Sequence, residues 1–141
     1  MNEPTVILVV DDEGNLRSYL ATLLKLNGYE VVTVSSGKEA IDHLSFNAAP
    51  SLVLLDVLMP ELDGLETLRR LRQNDKELPV IMLSCICEAG TIEEALRCGA
   101  ADYLNKPFEE ADLEKAILKV LACKRPPRPK HLNARAPLVT P

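Results

Sequence analysis

Val6-Ile7-Leu8-Val9-Val10-Asp11-Asp12 is an unbroken apolar run of five residues that stops at two aspartates. A continuous run, as opposed to an alternating one, is the pattern of a strand covered on both faces of a sheet. Working outward, Leu16, Tyr19, Leu20, Leu23, Leu24 and Leu26 recur by threes and fours, and Asn27-Gly28 follows. That spacing predicts an amphipathic helix of about 13 residues with these side chains inward and a glycine stop. Glu30 to Ser35 reads as a second strand, and Ser36-Gly37-Lys38-Glu39 as a capping box opening a helix with Ala40, Ile41 and Leu44 inward. Leu52-Val53-Leu54-Leu55 is a third buried strand, ending at Asp56.

The second half repeats the theme. Gly64 to Gln73 places Leu65, Leu68 and Leu71 at helical spacing, with Arg69, Arg70 and Arg72 outward. Val80-Ile81-Met82-Leu83 is a fourth buried strand ending at Ser84. Thr91 to Cys98 reads as a shorter helix closed by Gly99, Ala101 to Leu104 as a weaker fifth strand, and Ala111 to Cys123 as a last helix. Strand followed by helix five times over demands crossover connections and parallel pairing, with helices on both faces. The expectation is an α/β fold: a doubly wound, five-stranded parallel sheet of order 2-1-3-4-5 with five helices.

Composition agrees with one globular domain. The chain has 141 residues, 16 Lys+Arg against 21 Asp+Glu and a net charge of −5. An acidic balance argues against a body that binds nucleic acid directly. No apolar run approaches the roughly 20 residues needed to span a bilayer. Met1-Asn2-Glu3-Pro4 has no basic leader character, so a cytoplasmic location is expected. From Lys124 onward there are five basic residues, no acid and five of the ten prolines. Residues 1–123 therefore read as the folded domain, and 124–141 as a basic, proline-rich tail or linker too poor in apolar surface to order itself. Cys85, Cys87, Cys98 and Cys123 lack zinc spacing and read as reduced, mostly buried thiols.

In doubly wound sheets ligands bind beyond the carboxyl ends of the strands, where the winding reverses. At that edge the sequence puts Asp11 and Asp12, Asp56, Ser84, and Lys106 with Pro107. Each alone could be a turn former or a solvated loop residue. Their convergence on one edge is what a scattered structural role would not produce. Three unpaired anions close together raise one another's pKa, and a bound hard cation relieves this; so few carboxylates suit Mg²⁺ that keeps part of its water. The chemistry this collection permits is phosphoryl transfer onto a carboxylate, with Asp56 as nucleophile, Asp11 and Asp12 holding metal, and Ser84 and Lys106 on the phosphoryl oxygens. There is no P-loop and no dinucleotide fingerprint, and an acidic first loop would repel a flavin phosphate.

Taken together, Asp11-Asp12, Leu52 to Asp56 with Met59-Pro60 and Asp63-Gly64, Ile81 to Ser84, and Gly99 to Phe108 resemble the response-regulator receiver domain (CheY-like) of two-component signalling. The resemblance covers about residues 5–122 and implies a flavodoxin-like fold. It further implies that Asp56 accepts a phosphoryl group from a histidine kinase or phosphotransfer protein. Asp12, Asp56 and the backbone carbonyl of Leu58 would bind Mg²⁺ directly, with Asp11 acting through water. Lys106 would contact the phosphoryl oxygens, Ser84 would be the hydroxyl residue and Tyr103 the switch aromatic, and the Lys106–Pro107 peptide would be cis. The implied role is a phosphorylation-controlled interaction module, not an enzyme with an external product. Leu58 and Ile86 are both apolar where a polar group could order a hydrolytic water, so the phosphorylated form is expected to be long-lived. The face formed by the fourth helix, fifth strand and last helix is the candidate homodimer surface. The output stays open between a DNA-binding or ATPase domain absent from these residues and a stand-alone docking protein.

Overall fold

The computed structural model describes residues 4–84 and 89–123. Ten elements alternate: β1 (Val6–Val10), α1 (Gly14–Leu26), β2 (Glu30–Val34), α2 (Gly37–Phe46), β3 (Leu52–Asp56), α3 (Gly64–Asn74), β4 (Val80–Ser84), α4 (Ala89–Arg97), β5 (Asp102–Asn105) and α5 (Glu110–Cys123). The strands form one sheet of order β2-β1-β3-β4-β5, every pair parallel. The winding reverses between β1 and β3, as the apolar pattern required.

Strand period divides the core into two. Leu8 and Val10 of β1, Val53 and Leu55 of β3, and Val80 and Met82 of β4 face one side, under α2, α3 and α4. Ile7 and Val9, Leu52 and Leu54, and Ile81 and Leu83 face the other, under α1 and α5. The three inner strands are thus apolar up to their last residue, Asp56 in β3 and Ser84 in β4 being the exceptions, because both faces are covered. The edge strands β2 and β5 have neighbours on one side only and are only half-buried.

Helix starts follow local chemistry. Glu13 caps α1 by accepting from the Leu16 N–H at 3.1 Å, and Asp63 caps α3 by accepting from Glu66 N–H at 2.9 Å. Ser36 caps α2 through Glu39 N–H at 3.1 Å. The return bond of this capping box lands one residue early: the Glu39 carboxylate accepts from the N–H and hydroxyl of Ser35, at 2.8 and 3.1 Å.

Several details correct the sequence reading. Tyr19 and Leu26 are 50% and 78% exposed, because α1 buries only the narrow stripe of Leu20, Leu23 and Leu24. Tyr19 sits at the margin of that stripe, about 100° round the helix from Leu20 and about 40° beyond Leu23. Arg72 is half-buried, its guanidinium donating to the carbonyls of Asp75 and Gly99 at 3.0 and 2.8 Å. Cys98 is half-buried against the core, whereas Cys123, at the end of α5, is exposed, so the expectation of mostly buried thiols fails for Cys123. Cys85, Cys87, Ile86 and the tail 124–141 lie outside the described residues.

Candidate functional site

Each strand delivers its last residue to one rim. β1 ends before Asp11, which is wholly buried, and Asp12, which is exposed; β3 ends on Asp56, 4% exposed; β4 ends on Ser84, also buried. Parallel register aligns these ends: Val10 pairs with Leu55, Asp56 with Leu83, and Ser84 with Asn105. The chain leaving β5 is tied to the same rim, Lys106 N–H donating to the Ser84 carbonyl at 2.7 Å. The Lys106–Pro107 peptide is cis.

The Lys106 side chain points into the acids. Its ammonium donates to Asp56 Oδ1 at 3.1 Å and to Asp11 Oδ2 at 3.3 Å. The other Asp11 oxygen accepts from the Glu13 N–H at 2.9 Å. Asp11, Asp12 and Asp56 each offer one carboxylate oxygen within a group whose members all lie within 4.8 Å of one another.

These surroundings set the protonation. Burial pushes the Asp56 carboxyl up to about 6, and the Asp11 charge pushes the same way; the Lys106 ammonium and a backbone N–H from Leu58 pull it part of the way back. Burial works against the Lys106 charge, but the attraction of Asp56 and Asp11 outweighs it and raises the pKa. The lysine is therefore cationic and Asp56 mostly ionised at neutral pH. Lys106 serves Asp56 and Asp11 together, and Asp12 adds a third carboxylate with no ion pair among the described residues, which leaves the site short of positive charge.

Residues 7–118 match the sequence pattern of the response regulator receiver domain. The chain belongs to that family. Among curated relatives, the receiver is 41% identical over 115 residues to the regulatory protein AtoC of Escherichia coli, covering 82% of this chain and 25% of that protein. It is 46% identical over 121 residues to the probable transcriptional regulator ycf27 of Pyropia yezoensis, covering 85% and 49%. The chain thus spans between a quarter and about half of these relatives. Among solved structures, the Francisella response regulator 1452 receiver domain superposes with a TM-score of 0.79 at 30% identity, covering 87% of this chain and all of that one. NtrX from Brucella abortus gives 0.81 at 34% identity, covering 86% of this chain and 28% of that one. Receiver domains are signalling modules of two-component systems, and the acidic pocket at their strand ends is the place where they bind Mg²⁺.

Of the residues singled out from sequence, the receiver structure gathers Asp11, Asp12, Asp56 and Lys106, with Ser84 on the adjoining strand end. Leu58 follows Asp56 by two residues with its side chain 49% exposed. Tyr103 stands further down β5, paired with Met82 and half-buried against the core beneath α3 and α4. One residue at the site escaped the sequence reading. Arg17, on α1, donates through Nη1 to the backbone carbonyl of Asp11 at 2.7 Å. Nothing in a polar residue on a helix announces that it folds back onto the preceding loop.

Proposed function

We propose that this receiver takes a phosphoryl group onto Asp56 from the phosphohistidine of a histidine kinase or phosphotransfer protein. The observation carrying this is the Lys106 ammonium bridging Asp56 and Asp11 at the strand edge that also bears Asp12. In the transfer an Asp56 oxygen forms a bond to phosphorus as the phosphorus–nitrogen bond of the donor breaks, the electron pair leaving with the imidazole. The raised but still sub-neutral pKa of Asp56 keeps that oxygen unprotonated at pH 7. Lys106 lies where it can neutralise an equatorial phosphoryl oxygen, and the Ser84 hydroxyl is assigned a hydrogen bond to another.

The all-oxygen donor set and its unbalanced negative charge fit a hard divalent cation. Asp11, Asp12, Asp56 and the Leu58 carbonyl would hold Mg²⁺, which supplies charge neutralisation at the phosphoryl group when bound. Phosphorylation adds about −1.5 to −2 charges and three acceptor oxygens. Drawing Ser84 toward them would free space beneath it for Tyr103 to turn inward, shifting the α4–β5–α5 surface that contacts an effector or a second copy. Residues 1–123 form the receiver and 124–141 lead to or contact the output, and the protein acts in the cytoplasm as a switch with no external product. No helix among the described residues is long and apolar enough to cross a membrane.

Incubation with acetyl phosphate and Mg²⁺ tests the reading. The expected result is one phosphoryl group per chain by intact mass, dependent on Mg²⁺ and absent in Asp56→Asn. Equal labelling of that variant, or repeated turnover of phosphate monoesters, would overturn it.

A further inference from the structure

Asp11 is anchored on every polar atom it owns. Its N–H donates to the Val34 carbonyl at 3.3 Å, its carboxylate takes the Glu13 N–H and the Lys106 ammonium, and its carbonyl takes Arg17. Asp12 is different: it is exposed, and none of the described residues donates a hydrogen bond to its carboxylate. With no such partner, the placement of its Cα–Cβ bond rests on the backbone, and in part on the peptide plane that precedes it. The carbonyl in that plane is the Asp11 carbonyl, and the group holding it is the Arg17 guanidinium.

Arg17 is poorly placed for a role in the helix alone. It stands near the amino end of α1, whose first turn contains no acid, and a cation there opposes the helix dipole. Its guanidinium folds back over that turn, to within 3.7 Å of where a Cβ on Gly14 would sit. Across the groove its charge is also felt by Glu39, whose carboxylate holds the Ser35 corner after β2. The side chain thus lies against the β1–α1 loop, beside the acidic pocket.

From this geometry we infer that Arg17 is a positioning residue for the cation: by holding the Asp11 carbonyl it fixes the Asp11–Asp12 peptide and so aims the Asp12 carboxylate. The inference rests on the reading of Asp11, Asp12 and Asp56 as the divalent-metal site. It goes further by assigning part of the metal affinity to a residue that never touches metal. It also makes a prediction of opposite sign to simple electrostatics. If Arg17 acted only as a nearby positive charge, removing it would tighten cation binding. If it positions the loop, removing it loosens binding, by about tenfold for a partner that orients a ligand without touching the ion.

The test is Mn²⁺ binding to the full chain, followed by loss of the free-ion electron paramagnetic resonance signal, for wild type, Arg17→Gln and Arg17→Lys. The expected result is an affinity about tenfold weaker in R17Q. R17K, which keeps the charge and one donor, is expected to recover part of the loss. The half-saturating Mg²⁺ for acetyl phosphate labelling should rise by a similar factor. Unchanged or tighter Mn²⁺ binding in R17Q overturns the inference. Should R17Q not fold, R17K decides: weaker binding than wild type supports the role, and equal binding overturns it. A wild type that does not bind Mn²⁺ overturns the metal-site reading itself, and this inference with it. Binding by wild type and variants alike overturns only the role of Arg17.

Discussion

Asp56 has given up nearly all contact with water beside a second buried carboxylate, and one lysine serves both. Its folded-state pKa of about 6 exceeds the ordinary value of 3.8. Between those limits the folded chain holds a proton that the unfolded chain has released. Stability is therefore lost as pH rises through about 6, and the loss is complete above it. Asp56→Asn removes the charge and keeps the shape. In the absence of divalent ions the variant is expected to be more stable than wild type at pH 8, by about 1–3 kcal/mol. The advantage should close as pH falls toward 4, and urea denaturation across that range measures it. A variant less stable at pH 8 would show that the Lys106 bond outweighs burial. Leu58 bears on a different property. Its half-exposed side chain offers no hydrogen bond to a water approaching Asp56, so Leu58→Asn is expected to shorten the life of the aspartyl phosphate several-fold, read as decay of label in Mg²⁺. At this scale the aspartates and Lys106 were legible because the topology sends strand ends to one rim. Arg17 was not, because its role depends on a side-chain path that residue type and spacing do not encode.

Two helices stop in the same way, and comparing them separates backbone strain from packing. After α1, Gly28 has φ 96°, with Gly28 N–H bonded to the Lys25 carbonyl and Tyr29 N–H to that of Leu24. After α4, Gly99 has φ 105°, with matching bonds to Leu96 and from Ala100 to Ala95. Both stops were legible as glycines closing an apolar period. Their surroundings were not. A Cβ on Gly28 meets nothing within 4 Å, whereas one on Gly99 would lie 2.6 Å from Arg72 Nε. Gly28→Ala is expected to cost about 1–2 kcal/mol, the ordinary penalty for a left-handed residue. Gly99→Ala should cost about 1–2 kcal/mol more, because Arg72 must release the Gly99 carbonyl or move. Unfolding midpoints that fell equally would refute the difference. The start of α4 was misjudged. The sequence began this helix at Thr91, whereas Ala89 and Gly90 are already helical.

The acidic site exists only when the whole sheet is assembled, since its ion pairs join positions 50 and 95 residues apart in sequence. Sequence periodicity could specify a doubly wound parallel sheet because each inner strand is apolar on both faces and each crossover has one allowed hand. It could not specify how far α1 turns toward the sheet, so Tyr19 and Leu26 were assigned inward and lie outward. A site made from three strand ends and the loop after a fourth is absent from the unfolded chain, so a ligand bound there must stabilise the entire fold. Mg²⁺ at 100 times its dissociation constant should add about 2.7 kcal/mol to the free energy of unfolding. The denaturant slope should stay constant, because the ion changes no buried area. The gain should be full at pH 8 and shrink below pH 6, where protons compete for Asp56. Asp56→Asn should forfeit most of it, although that variant begins from the more stable apo state. Under Mg²⁺ the order of stability of wild type and variant should therefore approach equality or reverse. An equal Mg²⁺ gain in both proteins would place the cation away from Asp56 and break the link between metal, acceptor and fold.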